Sequence, residues 1–214
     1  MSQFDLFDDI HNRILGAGSY AEFKKRLSGS ACQKCALKSS RTHIVVDRGN
    51  PGARIVVVGE GPGENEDLQG LAFVGRAGQL MDRLVREETG LDTNSDFLII
   101  NVVKCRPPGN RAPKKEEAQA CMPFLNRQLD LVRPAVVLLL GATALKYFDA
   151  SKTNFSMEQE AGKFFNLENR PGIQFMVLFH PAYLLYNRSK EPLFRRHLRD
   201  LKERLLKIPQ LSTP

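Results

Sequence analysis

Four short apolar runs, separated by helical patterns, restrict the fold more than any other feature of this chain. They are Arg54–Gly59 (RIVVVG), Phe97–Val103 (FLIINVV), Ala135–Gly141 (AVVLLLG) and Gln174–Phe179 (QFMVLF). Each is apolar on both faces, as a strand buried on both sides of a parallel sheet must be. Between them lie amphipathic stretches. Arg76–Thr89 stripes Ala77, Leu80, Met81, Leu84 and Val85; Pro113–Val132 stripes Ala118, Met122, Leu125, Leu129 and Val132. Ala142–Tyr147 opens as a helix before the chain turns polar and loop-like up to residue 173. A basic helix carrying Leu193, Phe194, His197, Leu198, Leu201 and Leu205 follows the last run. Strands alternating with helices predict an α/β fold, a parallel sheet covered on both faces. Residues 1–50 read as a helical cap containing a helix over Tyr20–Leu27, and Ile208–Pro214 as a frayed tail, so 1–214 is expected to form one domain.

The cysteines add a cross-chain constraint. Cys32 and Cys35 form a C-x2-C pair; Cys105 and Cys121 follow far downstream, and there are no others. A close pair plus two distant thiols is the pattern of a four-thiolate metal site, and spacing alone does not separate zinc from an iron–sulfur cluster. Unrelated buried cysteines are the bland alternative. Disulfides fit less well. Met1–Ile10 carries acids and lacks a basic start followed by an apolar core, so no secretory signal is expected. No apolar stretch has the length of a membrane span. Lys and Arg number 31 against 24 Asp and Glu, a net charge of +7. That excess biases toward a polyanionic partner without proving one.

Polar residues gather just after the runs. Gly59-Glu60-Gly61-Pro62-Gly63-Glu64-Asn65-Glu66-Asp67 follows the first, with Phe73 a little further on. Asn101 stands at the second, ahead of Lys104-Cys105-Arg106. Gly141-Ala142-Thr143 follows the third, and His180-Pro181-Ala182 the fourth. Parallel sheets bind ligands at the carboxyl ends of their strands, so Glu60, Glu66, Phe73, Asn101 and His180 are expected on one rim. Singly each has a plain explanation: a tight turn, a core ring, a turn asparagine. The glycine-rich turn lacks the Gly-Lys-Ser/Thr ending of a phosphate loop and the spacing of a dinucleotide fingerprint. Lys104, Arg106 and Arg111, with Arg188, Lys190, Arg195 and Arg196, border the same rim. They form either a solvated face or a set of phosphate contacts.

These residues carry a resemblance. GEGPGENED (59–67), FVGRAGQLMD (73–82), NVVKCRPPGNR (101–111), LLLGATA (138–144) and HPAYLL (180–185), with the cysteine spacing, closely resemble the iron–sulfur-containing family 4 uracil-DNA glycosylases of bacteria and archaea. The likeness runs from about Cys32 to the final helix. It implies the three-layer glycosylase fold, with a central four-stranded parallel sheet flanked by helices. It implies a [4Fe–4S] cluster on Cys32, Cys35, Cys105 and Cys121. It further implies a cytoplasmic, nucleoid-associated enzyme that acts on uracil in single- or double-stranded DNA and leaves an abasic site; a monomer is the default expectation, since nothing in the sequence marks an oligomer surface.

By the same resemblance, Phe73 stacks on the flipped base. Asn101 reads the uracil edge, held in orientation by neighbours, and Glu66 walls off the space beside C5. His180 donates to O2 as the base leaves. Glu60 and Gly61 lie where water is handled, Gly61 replacing an aspartate of better-known relatives. Lys104, Arg106, Arg111, Arg188 and Lys190 are the expected DNA contacts. Tyr186-Asn187-Arg188 departs from an arginine common after the last motif, leaving Arg188 or Tyr186 to act at the duplex. Arg106–Pro113 is short and lacks a histidine, which favours hydrolysis over covalent trapping. A catalytically weak iron–sulfur DNA-binding module is the competing class.

Overall fold

In the computed structural model, residues 10–208 are described. Only Ile208 of the expected frayed tail, and only residues from 10 onward of the cap, fall within that range. The four apolar runs form β2 (Ile55–Gly59), β3 (Phe97–Asn101), β4 (Val136–Leu140) and β6 (Gln174–Leu178). They are mutually parallel, as the double-sided apolar pattern requires. Two short antiparallel strands extend the edges: β1 (Arg48–Gly49) beside β3 and β5 (Phe164–Asn166) beside β6. The sheet is therefore six-stranded and mixed, in the order β1-β3-β2-β4-β6-β5, around the four-stranded parallel centre.

Alternate residues of each strand face opposite layers. Val56, Val58, Leu98, Ile100, Val137 and Leu139 pack against α1 (Tyr20–Ser28), α4 (Lys115–Val132) and α5 (Gly141–Phe148). Ile55, Val57, Phe97, Ile99, Val136 and Leu138 face α3 (Arg76–Thr89), α7 (Pro181–Tyr186) and α8 (Glu191–Leu205). Two short helices, α2 (Glu64–Gln69) and α6 (Met157–Glu160), complete the named elements. Among the described residues no helix is long and apolar enough to cross a membrane.

Some boundaries move. The second strand stops at Asn101 rather than Val103; the chain then turns, with Val102 and Val103 donating to the carbonyls of Gly59 and Glu60 at 2.9 and 3.1 Å. Helix α4 begins at Lys115, not Pro113. Glu117 accepts from the Lys114 amide at 2.7 Å and so caps the helix there. The first segment is fastened by a buried polar knot: Asp47 accepts from the Tyr20 hydroxyl at 2.9 Å and from Lys24 at 2.7 Å, and Gln128 donates to Tyr20.

Candidate active site and cysteine cavity

The strand register decides what meets at the carboxyl edge. Gly59 and Asn101 are direct partners across β2 and β3. A Cβ on Gly59 would lie 2.5 Å from Asn101 Oδ1 and 2.5 Å from two Phe73 ring carbons, so only glycine lets ring and carboxamide close over the strand end. Phe73 itself has φ of 55°, unusual for a bulky residue. Gly78 in α3 permits this too, because a Cβ there would come within 1.8 Å of the Phe73 carbonyl oxygen. The Phe73 ring lies 5.6 Å from the His180 ring, tilted by 39°. Three of the expected residues thus form one group.

A cavity of ≈ 750 Å³ opens beside them, lined by Glu60, Gly61, Glu66, Phe73 and His180, with Tyr183 and Tyr186 at its side. Its size suits a nucleoside-sized ligand. Asn101 lies deeper, 1% exposed, and neither its Oδ1 nor its Nδ2 has a hydrogen-bond partner. The lock expected on the carboxamide is therefore absent as a hydrogen bond. The carboxamide oxygen and the Phe73 ring both sit over Gly59, and the main-chain oxygen of Asn101 is held by Lys104.

His180 caps α7. Its Nδ1 accepts from the Ala182 amide at 3.2 Å, which leaves the proton on Nε2. Burial holds its pKa down at about 4, so the ring is neutral at ordinary pH. Glu66 is fixed at both oxygens, accepting from Gly75 at 2.7 Å and Gly63 at 3.1 Å. It ties two loops together and forms a rigid cavity wall. Glu60 accepts from the Thr143 hydroxyl at the start of α5, a partner that sequence reasoning missed although Thr143 follows the third strand. At Gly61 a Cβ would stand 2.7 Å from Val103 Cγ2, so no carboxylate fits there without moving a buried valine.

The basic residues divide. Lys104 is not a surface contact: it is 1% exposed, and its ammonium donates to the Asn101 carbonyl oxygen at 2.7 Å. Burial lowers its pKa to about 8. Arg111 lines the cavity but is engaged twice by Glu117, at 2.8 and 2.7 Å. Arg106 donates to Asn110 at 2.7 Å and to Glu64 at 3.3 Å, and Lys190 pairs with Glu158 at 3.0 Å. Exposed pairs of this kind are worth about 0–1 kcal/mol, weak enough to exchange for a phosphate. Arg188 is exposed, and so is Arg196. Arg195 instead bridges α8 to α3 through Glu87 and Glu88.

All four cysteines, carried by the loop around 32–35, the turn after β3 and helix α4, line one small cavity with Lys104 and Arg41. Among the described residues no group of three or more His, Cys, Asp or Glu is gathered so as to hold a metal ion as it stands. The four thiols share the lining of that one cavity, which is the donor set either zinc or an iron–sulfur core takes. Burial pushes the Cys105 and Cys121 thiols up to about 11 and about 12, so a cationic core is what would favour their thiolates there. Arg41 points at Cys105 Sγ from 3.5 Å.

Fold and site together define a class: a doubly covered α/β protein with a ligand cavity at the carboxyl edge of its parallel strands, furnished with an aromatic ring, a neutral imidazole and a buried carboxamide. Residues 46–202 match the Uracil DNA glycosylase superfamily. The chain is 46% identical over 172 residues to the type-4 uracil-DNA glycosylase of Thermotoga maritima, covering 80% of this chain and 86% of that protein. It is 42% identical over 183 residues to the type-4 enzyme of Saccharolobus solfataricus, covering 83% of each. With the type-4 enzyme of Sulfurisphaera tokodaii it shares 40% over 177 residues, 81% of this chain and 80% of that one. The chain belongs to the uracil DNA glycosylase superfamily, in its type-4 group.

Proposed function

We propose that the chain is a monofunctional DNA glycosylase that everts deoxyuridine from DNA, hydrolyses the bond between uracil N1 and the sugar, and leaves an abasic site. The observation that carries this reading is the Asn101 carboxamide, buried with both polar atoms unpartnered behind Phe73. Unpaired buried polar groups are costly and rare. A ligand edge offering one donor and one acceptor would satisfy both. Uracil offers N3–H to Oδ1 and O4 to Nδ2, whereas cytosine presents the reverse.

The target base cannot be reached inside a duplex, so eversion comes first. Phe73 lines the cavity and offers about 1–3 kcal/mol of base stacking. As the N1–C1′ bond breaks, its electron pair passes to the uracil ring, and charge grows on O2. The Nε2–H of His180, fixed by the Ala182 contact, donates there. Water adds to C1′ and releases its proton to solvent, from which the departing uracil anion takes one up; Glu60, held by Thr143, orients that water. With charge stabilised on the base, little general-base help is needed, consistent with Gly61 having no side chain. Glu66, unable to swing away, excludes the thymine methyl. Arg106, Arg188 and Lys190 contact phosphates, and Tyr186, 84% exposed beside the cavity, meets the duplex. Cys32, Cys35, Cys105 and Cys121 hold a [4Fe–4S] cluster. When bound, it would cross-link the first segment to the rest of the fold through the thiolates of those four cysteines.

The test is excision. Purified protein incubated with a uracil-containing oligonucleotide, single- and double-stranded, is expected to give alkali-labile sites at uracil and none at thymine or cytosine. The same preparation is expected to be brown and to contain four irons per chain. Binding without strand scission would favour the catalytically weak DNA-binding module. A colourless protein with stoichiometric zinc would remove the cluster.

A further inference from the structure

The charge at Lys104 is poorly explained by a role in folding alone. Lysine is almost never fully buried without a partner, because its ammonium must leave water. Here Nζ makes its hydrogen bond to the main-chain oxygen of Asn101, at 2.7 Å. The side chain also lines the cavity that holds Cys32, Cys35, Cys105 and Cys121. Asn101 is the strand end whose carboxamide is left unpartnered next to Phe73. One buried cation therefore touches both the base-reading residue and the thiol cavity.

We propose that Lys104 is a positioning residue that ties the metal cavity to the uracil-reading end of β3. Four thiolates outweigh the positive charge of the metal core they enclose, so the loaded cavity is an anion inside the protein. Lys104 offsets that charge from within, and Arg41 does so beside Cys105. The same ammonium fixes the Asn101 carbonyl, and with it the direction in which the carboxamide leaves the strand. With the cavity filled, Lys104 is held between the metal core and the Asn101 carbonyl oxygen; emptying the cavity removes its neighbour on one side and loosens the hold on Asn101. This inference rests on the uracil-reading role of Asn101 and on a metal core at the four cysteines.

Two variants of the full chain separate the parts. Lys104→Met removes both charge and donor. Lys104→Gln removes the charge and keeps a polar donor. Free uracil is titrated calorimetrically, and iron loss to a chelator is followed by visible absorbance, with far-UV circular dichroism as the folding control. For Lys104→Met we expect uracil affinity to fall about ten-fold, the upper end for one hydrogen bond, and iron to be lost several-fold faster. Lys104→Gln should lose iron as fast as Lys104→Met while binding uracil more tightly than it. A folded Met variant with wild-type uracil affinity and wild-type iron retention overturns the proposal. Should that variant not fold, unchanged iron retention in the Gln variant overturns it. A wild-type protein that neither binds uracil nor holds iron would instead sink the reading on which the inference rests.

Discussion

Replacing His180 with alanine is expected to slow single-turnover uracil excision about 10²–10³-fold while leaving affinity for DNA near wild type. A preplaced donor aimed at developing charge contributes about 3–4 kcal/mol to the barrier, and DNA affinity comes chiefly from phosphate contacts elsewhere. The ring is suited to this because it is neutral. Its Nδ1 accepts from Ala182, so Nε2 keeps its proton, and protonating Nδ1 would break that contact. The pKa near 4 lies below the ordinary 6.5, so the folded state favours the neutral form. The sign follows. As pH falls below about 6.5 the unfolded chain gains a proton that the folded site resists, and stability is lost from there down to about pH 4. Excision should show no acid limb from His180 between pH 8 and 5, and its loss should centre near 4. A rate profile inflecting near 6.5 that His180→Ala abolishes would contradict a neutral donor. An alanine variant with unchanged single-turnover rate would remove His180 from the reaction.

The second large effect concerns Asn101, where stability and activity should move in opposite directions. Asn101→Ala is expected to lower kcat/KM on uracil by about 10²-fold, the loss of two hydrogen bonds of about 1–1.5 kcal/mol each, and to flatten the preference for uracil over cytosine. The variant should melt no lower than the parent, because it deletes two buried polar atoms that have no partner in the free protein. A small cavity term opposes that gain. Ordinary buried asparagines, bonded within the fold, behave oppositely and destabilise when removed. Parallel thermal unfolding and steady-state kinetics check it. A clear fall in melting temperature together with normal uracil kinetics would assign Asn101 to the fold alone.

Much of this site is legible in the sequence for a definite reason. A short run apolar on both faces and rich in β-branched residues reads as a covered strand, and parallel strands end on the same edge. Glu60 and His180, just beyond such runs, and Asn101, at the end of the second strand, must then share a rim. The edge strands escape the same reasoning: Arg48–Gly49 and Phe164–Asn166 are too short to show a period. Lys104 misleads because a lysine flanked by Cys105 and Arg106 reads as part of a solvated basic set. Only the packing of the turn after β3 shows that it points inward. Glu66 is placed on the rim by its position after the first strand, but its oxygen meets Gly75 in a contact made across a loop that no local pattern encodes. Likewise, Arg195 looks available for phosphate until α3 is packed beside α8.

The most direct measurement is a crystal structure of the protein with free uracil soaked to saturation. The account predicts the base in the cavity at the sheet's carboxyl edge, in contact with the Phe73 ring, N3–H and O4 on the two atoms of the Asn101 carboxamide, and O2 within hydrogen-bond distance of His180 Nε2. Uracil lodged elsewhere, or bound in that cavity with the carboxamide still unpartnered, would contradict it.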